Sequence, residues 1–201
     1  MKLIVRPLTL DLWPAFKDLF GKNGASNGCW CMYWRIGSAY RKRVREKNRL
    51  AFREIVNRGP PPGLLAFHGD LAVGWCQLTP RDALPWLDQV WRRQRMDDAP
   101  VWSLSCFYVR RGYRKRGVQF ALIGAALRHA RRAKALALEV YPIDTKQPKS
   151  TSNLFTGTAS TFARAGFKTV ARLVPYRVLM RYDLKTSRDD ALTPKKKGGH
   201  L

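Results

Sequence analysis

One segment of the chain, residues 101–135, constrains the fold more than any other. It opens with the apolar run Val101–Val109, which is typical of a buried strand. A loop with two glycines follows, and the alanine- and leucine-rich stretch from Gly117 to Ala135 is typical of a helix. A second apolar run, Leu136 to Tyr141, comes next and ends before Pro142. The order is therefore strand, loop, helix and strand.

Outside that segment, short strands and helices mix without strict alternation. The predicted strands are 3–5, 64–67, 71–78, 169–173 and 177–184, and the predicted helical segments are 10–20, 39–58, 81–95 and 153–165. This mixture predicts an α/β (α+β) fold, with one domain over residues 1–184 and a mixed central sheet of about six to seven strands flanked by helices. Residues 185–201 form a basic tail that we predict to be disordered.

Composition limits the class of protein. Hydrophobic residues make up 45% of the 201 residues, which is enough for one packed domain without disulfides or a structural metal. The four cysteines are unevenly spaced, which argues against a disulfide framework. The apolar runs are too short to span a bilayer, and Met1 to Pro7 contain no long apolar signal region. We therefore expect a cytoplasmic protein with no membrane span.

The formal net charge of +24 is the unusual property of the chain. Such an excess attracts polyanions, whether nucleic acid, an anionic membrane or a phosphate-rich small molecule. The basic segment 39–58 and the residues Arg128, Arg131 and Arg132 leave nucleic acid or a ribosome open as partners. Solvated helix faces are the alternative interpretation, and no recognised nucleic-acid motif is present. The sequence also leaves a homodimer open.

The loop within residues 101–135 concentrates positive charge next to the start of a helix. Its five basic residues are Arg110, Arg111, Arg114, Lys115 and Arg116. The first turn of a helix leaves backbone N–H groups unpaired and carries partial positive charge, so this arrangement suits a pyrophosphate. Neither the P-loop pattern nor Gly-x-Gly-x-x-Gly occurs, which argues against a nucleoside triphosphate or dinucleotide site.

Two motifs resemble those of the GNAT superfamily of N-acetyltransferases. The run Arg114-Lys-Arg-Gly117-Val-Gln119 is similar to the family's Arg/Gln-x-x-Gly-x-Gly/Ala loop, with Gln119 in place of a small residue. Downstream, the stretch from Asn153 through Phe162 to Gly166-Phe167 is similar to the family motif Asn…Phe-Tyr-x-x-x-Gly-Phe. The resemblance extends over nearly all of residues 1–184.

The resemblance implies an acetyl-CoA-dependent N-acetyltransferase that acts on a primary amine by direct attack in a ternary complex. Main-chain groups of Phe107, Tyr108 and Val109 would pair with the pantetheine arm of acetyl-CoA, and Asn153 would lie near it. The pyrophosphate would bind to the loop residues, which are Arg114, Lys115, Arg116, Gly117, Val118 and Gln119. Fold alone does not set the acceptor, because one scaffold serves many amines.

The sequence leaves several candidates for the general acid and the general base of the reaction. Phe162 occupies the position where the family commonly places a tyrosine acid, so the thiolate leaves unaided, another hydroxyl replaces the tyrosine, or activity is lost. The replacement hydroxyls are Ser160, Thr161 and Tyr141. Glu139 is the candidate base, with a structural ion pair to a neighbouring arginine as its alternative. A catalytically impaired acyl-CoA-binding or nucleic-acid-associated regulatory protein is the alternative function.

An aromatic cluster follows the first predicted helix, and we expect it to face the acceptor. Its candidates are Trp30, Tyr33 and Trp34, which can hold an apolar amine, an aromatic ring or a cation. Packing of the loop onto the sheet is the alternative. The neighbouring Cys29-x-Cys31 pair lacks the further ligands of a closed zinc site, so we expect no metal.

Overall fold

In the computed structural model of the chain, the described residues are 1–90, 97, 99–146 and 151–184, without the side chains of 151–153. They form a single domain with a seven-stranded sheet. The strands are β1 (Ile4–Pro7), β2 (Gly63–His68), β3 (Leu71–Pro80), β4 (Val101–Val109), β5 (Ala137–Val140), β6 (Lys168–Val174) and β7 (Arg177–Asp183). The helices are α1 (Trp13–Phe20), α2 (Tyr33–Ile36), α3 (Arg45–Arg58), α4 (Trp86–Val90), α5 (Val118–Arg132) and α6 (Ala159–Arg164).

The sheet is mixed, as the sequence predicts. Its strand order is β1-β2-β3-β4-β5-β7-β6, and β4 and β5 are its parallel neighbours. The other neighbouring strands are antiparallel, including β2 and β3, which form a hairpin. The helix α5 connects the two parallel strands, as a crossover between parallel strands requires.

Both faces of the central sheet are buried, which explains why its strands are almost continuously apolar. On β2, Leu64 and Ala66 face a core that includes α5 and Phe162. Their neighbours Leu65 and Phe67 face a second core, which is aromatic and includes residues of α1 and α3. The basic residues of α3 and α5 therefore lie on opposite sides of the sheet.

Two predicted helices are wrong in extent. The segment 39–58 is a 3-10 helix, Gly37–Lys42, followed by α3, and the extended Arg43 separates them. The segment 153–165 is a 3-10 helix, Thr151–Thr156, followed by α6. Gly157, whose φ is 79°, separates that pair. Glycine takes this left-handed conformation at little cost, so the chain turns there instead of continuing as one helix.

Two other predictions fall wholly or partly on residues outside the described ranges. The basic tail 185–201 lies outside them, as does most of the second half of the predicted amphipathic segment 81–95. The first half of that segment contains the 3-10 helix Arg81–Ala83 and α4. Each helix in the described part of the chain is too short or too polar to cross a lipid bilayer.

Candidate active site

The central feature of the site is the point where β4 and β5 diverge. The two strands pair only from Val101↔Ala137 to Ser103↔Glu139. Directly after this point, the β3–β4 register shifts so that Ser105 lies between the paired positions Leu104 and Cys106, as in a β-bulge. The rest of β4 pairs with β3 along one edge. Its other edge, at Phe107, Tyr108 and Val109, opens into a cleft.

The N-terminus of α5 lies directly beyond the end of β4. Gly117 is the N-cap, with a φ of 79°, and no side chain caps the helix. The first turn contains no acidic residue, so its backbone N–H groups and partial positive charge are available to an anion. A Cβ at Gly117 meets no atom within 4 Å, which leaves open space in front of the helix. The geometry therefore fits the pyrophosphate of a coenzyme A.

The basic residues of the loop have different surroundings. Arg110 turns away from the helix, because it pairs with Asp18 on α1 at 2.6 Å and donates to the carbonyl oxygen of Ala72. Arg114 donates from Nε to the carbonyl oxygen of Val109 at 3.2 Å. Arg116 lies over the ring of Tyr113 at 6.0 Å. Arg110 thus attaches the loop to the domain.

The sequence pattern alone did not reveal two glycines that set the position of α5. A Cβ at Gly74 on β3 would lie 2.5 Å from Cγ1 of Val118, so this glycine lets the helix start lie against the sheet. A Cβ at Gly157 would lie 2.7 Å from Nε2 of Gln119. The missing Cβ therefore accommodates the long side chain that stands where the family pattern has a small residue.

A cavity of about 690 Å³ lies beside the cleft. Cys106, Phe107 and Tyr108 of β4 contribute to its lining, so the cavity reaches the open edge of that strand. Its volume falls in the range of small-molecule sites, which is roughly 300–1,000 Å³. The cavity and the cleft that leads to the start of α5 thus meet at one strand.

Aromatic rings form much of the cavity wall, and two of the three candidates for contact with the acceptor are among them. Tyr33 and Trp34 line it together with Phe155, whose ring lies 6.1 and 6.2 Å from theirs. Trp30 is placed differently. It is buried at 3% exposure and stacks on Phe20 at 5.6 Å within the aromatic core, outside the cavity lining.

Among the described residues that line the cavity, two arginines are charged. Arg41 is exposed, and its guanidinium lies 5.7 Å from the centre of the Tyr40 ring. Arg177 is 5% exposed and donates to the carbonyl oxygen of Tyr141 at 2.5 Å and to Oγ1 of Thr156 at 2.7 Å. The lining residues within the described part of the chain include no aspartate, glutamate or lysine.

Three thiols also line the cavity, at Cys29, Cys31 and Cys106. Burial raises the pKa of Cys29 to about 12 and raises the pKa of Cys31 well above its ordinary value. These two thiols are therefore protonated at neutral pH and are poor nucleophiles. The described residues contain no group of three or more His, Cys, Asp or Glu side chains that would hold a metal ion.

Glu139 is buried on β5 at 3% exposure, outside the cavity lining. The Tyr141 hydroxyl donates to its Oε2 at 3.1 Å, and Nε of Arg81 lies 3.7 Å from the same oxygen. Burial raises the pKa of Glu139, and the opposing effects of Arg81 and Tyr141 do not cancel it. A proton from the cavity would reach this carboxylate only through an intervening group.

The raised pKa makes Glu139 a source of pH-dependent stability. The pKa of Glu139 is higher in the folded than in the unfolded chain. At pH values between these two pKa values, the folded state therefore binds more protons than the unfolded state. Stability therefore falls as the pH rises above the unfolded value of about 4.3. We expect Glu139→Gln to remove this dependence, so that the stability of the variant relative to that of the wild type increases with pH. Urea unfolding of both proteins at about pH 4 and about pH 8 measures this, and a constant difference contradicts it.

Phe162, which stands at the usual position of the acid, and the three candidate replacement hydroxyls lie in different parts of the domain. Phe162 is fully buried, 5.9 Å from the ring of Phe107 and 5.2 Å from that of Phe167. Ser160 and Thr161 each hydrogen-bond Thr158 at the start of α6. Tyr141 is buried on the same side of the sheet as Trp34. The side chain of Asn153, expected near the pantetheine arm, lies outside the described residues.

Comparison with protein families identifies the fold and the family. The model of the Acetyltransferase (GNAT) family matches residues 29–147, which include the cavity-lining cysteines, β4 and α5. No curated protein matches the sequence. The family model covers more than half of the chain, including the strand β4, the basic loop and the helix α5.

Solved structures resemble the chain over nearly its whole length. The PaiA N-acetyltransferase of Thermoplasma acidophilum, solved with coenzyme A, has 15% identity and a TM-score of 0.54 over 91% of this chain and 99% of its own. A protein of Corynebacterium glutamicum, described as histone acetyltransferase HPA2 and related acetyltransferase, has 17% identity and a TM-score of 0.57. The similarity covers 92% of this chain and 98% of that protein. The NatC complex bound to Gag peptide and CoA has 12% identity and a TM-score of 0.56, over 92% of this chain and 100% of its own. At identities this low, the structural similarity shows a shared fold alone.

Proposed function

Because the chain belongs to the GNAT family of acetyltransferases, we propose that it transfers an acetyl group from acetyl-CoA to a primary amine. The observation that carries this proposal is the continuity of three features. The open edge of β4 leads to the uncapped N-terminus of α5 on one side and to the cavity on the other. A thioester held along β4 would therefore face an amine in the cavity.

We assign the cofactor to the cleft by residue. The main chain of Phe107 to Val109 would pair with the pantetheine arm as an added strand does, and Asn153 would lie near that arm. The pyrophosphate would meet the backbone of the loop from Arg114 to Gln119, with the side chains of Arg114 and Arg116 nearby. The proposal requires no metal.

The reaction proceeds by direct attack in this proposal. The nitrogen of a neutral amine bonds to the acetyl carbon, the carbon–sulfur bond breaks, and coenzyme A leaves as its thiolate. Backbone N–H groups of β4 beyond the bulge would stabilise the oxyanion. Glu139 remains the candidate base, and Tyr141 is the neighbour through which a proton would reach it. The leaving thiol has a pKa of about 8.5, so its departure needs little help from an acid.

The phosphate assignment predicts the result of a double substitution. We expect Arg114→Ala with Arg116→Ala to weaken acetyl-CoA binding about 10- to 100-fold, because two charge-assisted contacts to phosphate are lost. Isothermal titration measures this affinity. Arg131→Ala with Arg132→Ala is the matched control, since it removes the same charge about 20 Å away at the other end of α5. Equal acetyl-CoA affinities of the two double variants would contradict the assignment of Arg114 and Arg116 to the phosphates.

Phe162 favours one alternative, a regulatory protein that binds acyl-CoA without turnover. A buried phenylalanine has no proton to give to the thiolate, and its ring packs in the core. Release of thiol from acetyl-CoA across a library of amines separates the two functions. Firm acetyl-CoA binding without thiol release on any amine would support the regulator. A salt-dependent mobility shift with tRNA would add a nucleic-acid role.

A further inference from the structure

A buried set of hydrogen bonds links the wall of the cavity to the bulge of β4. From these bonds, we propose that Gln77, Ser105 and Trp34 are positioning residues for acetyl transfer. They hold the segment 31–34, which contributes to the cavity wall, in a fixed place relative to the bulge. This role rests on the proposed function, since it concerns how the acceptor meets the thioester along β4.

Three side-chain hydrogen bonds close a ring that joins β3, β4 and the segment 31–34. Trp34 donates from Nε1 to the carbonyl oxygen of Ser105 at 3.0 Å. The Ser105 hydroxyl donates to Oε1 of Gln77 at 3.0 Å, and Nε2 of Gln77 donates to the carbonyl oxygen of Cys31 at 3.1 Å. The backbone from Cys31 to Trp34 completes the ring. All three hydrogen bonds are buried, so a shift of the segment relative to the bulge would break at least one of them at a cost in free energy.

The bulge explains why the ring includes a backbone carbonyl group. A bulged residue is left out of the strand ladder, so its buried polar groups need other partners. Trp34 supplies one such partner for Ser105. A bulge also bends its strand, and the open edge of β4 at 107–109 begins just beyond it. The ring therefore fixes the cavity wall relative to the edge along which the thioester would lie.

The segment is held in a backbone conformation that its residue types disfavour. Trp30 and Cys31 are consecutive residues with left-handed φ angles of 45° and 59°, and neither is glycine. Such residues persist where the surrounding contacts impose the conformation, and they cluster at functional sites. Cys31 is held by two of these contacts, because its carbonyl oxygen accepts from Gln77 and its Sγ accepts from Nε1 of Trp75 at 3.0 Å.

The polar residues of the ring lie where apolar residues would avoid a desolvation cost. Gln77 and Ser105 are both fully buried, and burying polar groups is unfavourable unless they are hydrogen-bonded. A buried network in which the polar groups are hydrogen-bonded instead gives rigidity and one defined arrangement. Gln77 lines the cavity, but its amide already bonds to Ser105 and Cys31, so we assign it to positioning and not to proton transfer.

The Ser105→Ala variant separates positioning from cofactor binding, because it deletes a hydroxyl that does not line the cavity. We expect kcat to fall about tenfold or more, since small misplacements of reacting groups are costly. The affinity for acetyl-CoA should stay within about twofold of the wild type. Thiol release with the amine that the wild type acetylates fastest gives kcat, and isothermal titration gives the affinity.

Asn48→Ala is the control for a general loss of stability. The Asn48 amide is fully buried and donates to the carbonyl oxygens of Gly28 and Tyr40 at 2.9 Å each, outside the ring. Its removal costs buried hydrogen bonds and should leave kcat within about twofold of the wild type. A tenfold loss of kcat in this variant as well would show that stability, and not the ring, governs turnover.

A double substitution shows whether Gln77 and Ser105 act through one ring. Gln77→Met keeps the length of the side chain and removes both hydrogen bonds of the amide, so it should lower kcat at least as much as Ser105→Ala. In the double variant, kcat should equal that of Gln77→Met, because the Ser105 hydroxyl then has no amide to hold. Losses that multiply would show that the two residues act separately and would overturn the proposal.

Hydrogen exchange tests the ring without any turnover. The backbone amides of residues 32–36 should exchange about fivefold or more faster in Ser105→Ala than in the wild type, although Ser105 is 71 positions from Trp34. The amides of α5 are the internal control, since this helix packs in the core on the other side of the sheet. Their exchange should not change.

The outcomes separate the positioning role from the proposed function. Faster exchange at residues 32–36 in Ser105→Ala, with no thiol release by the wild type on any amine, supports the ring as the device that places the segment and contradicts the acetyltransferase proposal. Turnover by the wild type, with kcat unchanged in Ser105→Ala, supports the acetyltransferase and overturns the positioning role. Unchanged exchange at residues 32–36 also overturns it.

Discussion

The Gly117→Asp variant should bind acetyl-CoA at least about 100-fold more weakly than the wild type, because a carboxylate would stand where we propose that the pyrophosphate binds. In the proposed complex, the N-terminus of α5 attracts the phosphates through its unpaired N–H groups and partial positive charge, and a carboxylate placed beside it would compete for that charge. The new charge would also repel the phosphates. Isothermal titration of acetyl-CoA gives the ratio of the two affinities.

The fold should survive this substitution, which makes the binding result interpretable. The left-handed φ of 79° at Gly117 is one that aspartate tolerates better than most residues, and the added Cβ meets no atom within 4 Å. The left-handed conformation costs a non-glycine residue roughly 1–2 kcal/mol, which is a small part of the stability of a domain of this size. The melting temperature should therefore stay within a few degrees of the wild type. Gly112→Asp is the control, since it adds the same charge in the same loop away from the helix start. Equal losses of affinity in both variants would show that net charge alone matters.

The Trp75→Ala variant should lose about 3–5 kcal/mol of the free energy of unfolding, the range for a buried large aromatic residue. Trp75 is fully buried on β3. Its ring lies 4.9 Å from Phe16 and 6.0 Å from Phe52, so it joins α1, α3 and the sheet in the aromatic core. Its Nε1 donates to Sγ of Cys31 at 3.0 Å.

Denaturant unfolding monitored by circular dichroism measures this loss. Trp102→Ala is a suitable comparison, because Trp102 is only partly buried and packs at the margin of the other core. We expect it to cost clearly less than Trp75→Ala. Trp75→Phe should recover part of the loss by restoring ring contacts without the indole donor. A cost for Trp75→Ala no larger than that for Trp102→Ala would contradict the central role of Trp75.

Much of the fold follows from local sequence patterns. The apolar run Val101–Val109 coincides with β4. The alanine- and leucine-rich stretch after Gly117 is α5, because apolar periodicity and helix propensity agree there. Gly69 and Asp70, which are typical turn residues, connect β2 to β3 in an antiparallel hairpin. These elements form where local preference and burial favour the same structure.

The features that the sequence did not reveal depend on contacts between distant residues. The left-handed φ of Gly157 and the fit of Gln119 against it arise only when α5 and the segment before α6 meet. The bulge at Ser105 depends on the register between β3 and β4. Arg41 and Arg177 are 136 positions apart in the chain and share a cavity only because the sheet brings β7 towards the helical region around Tyr33.

The most direct test of the central claim, that the α5 N-terminus binds the phosphates of coenzyme A, is a pair of titrations. Acetyl-CoA and S-acetylpantetheine carry the same thioester and pantetheine arm, but the second lacks the pyrophosphate and the phosphorylated adenosine joined to it, and the salt dependence of acetyl-CoA binding reports the contribution of the phosphates. We predict that acetyl-CoA binds with an affinity that falls as salt rises, and that S-acetylpantetheine binds at least about 100-fold more weakly. Equal affinities of the two compounds, or no binding of acetyl-CoA at low salt, would contradict the account.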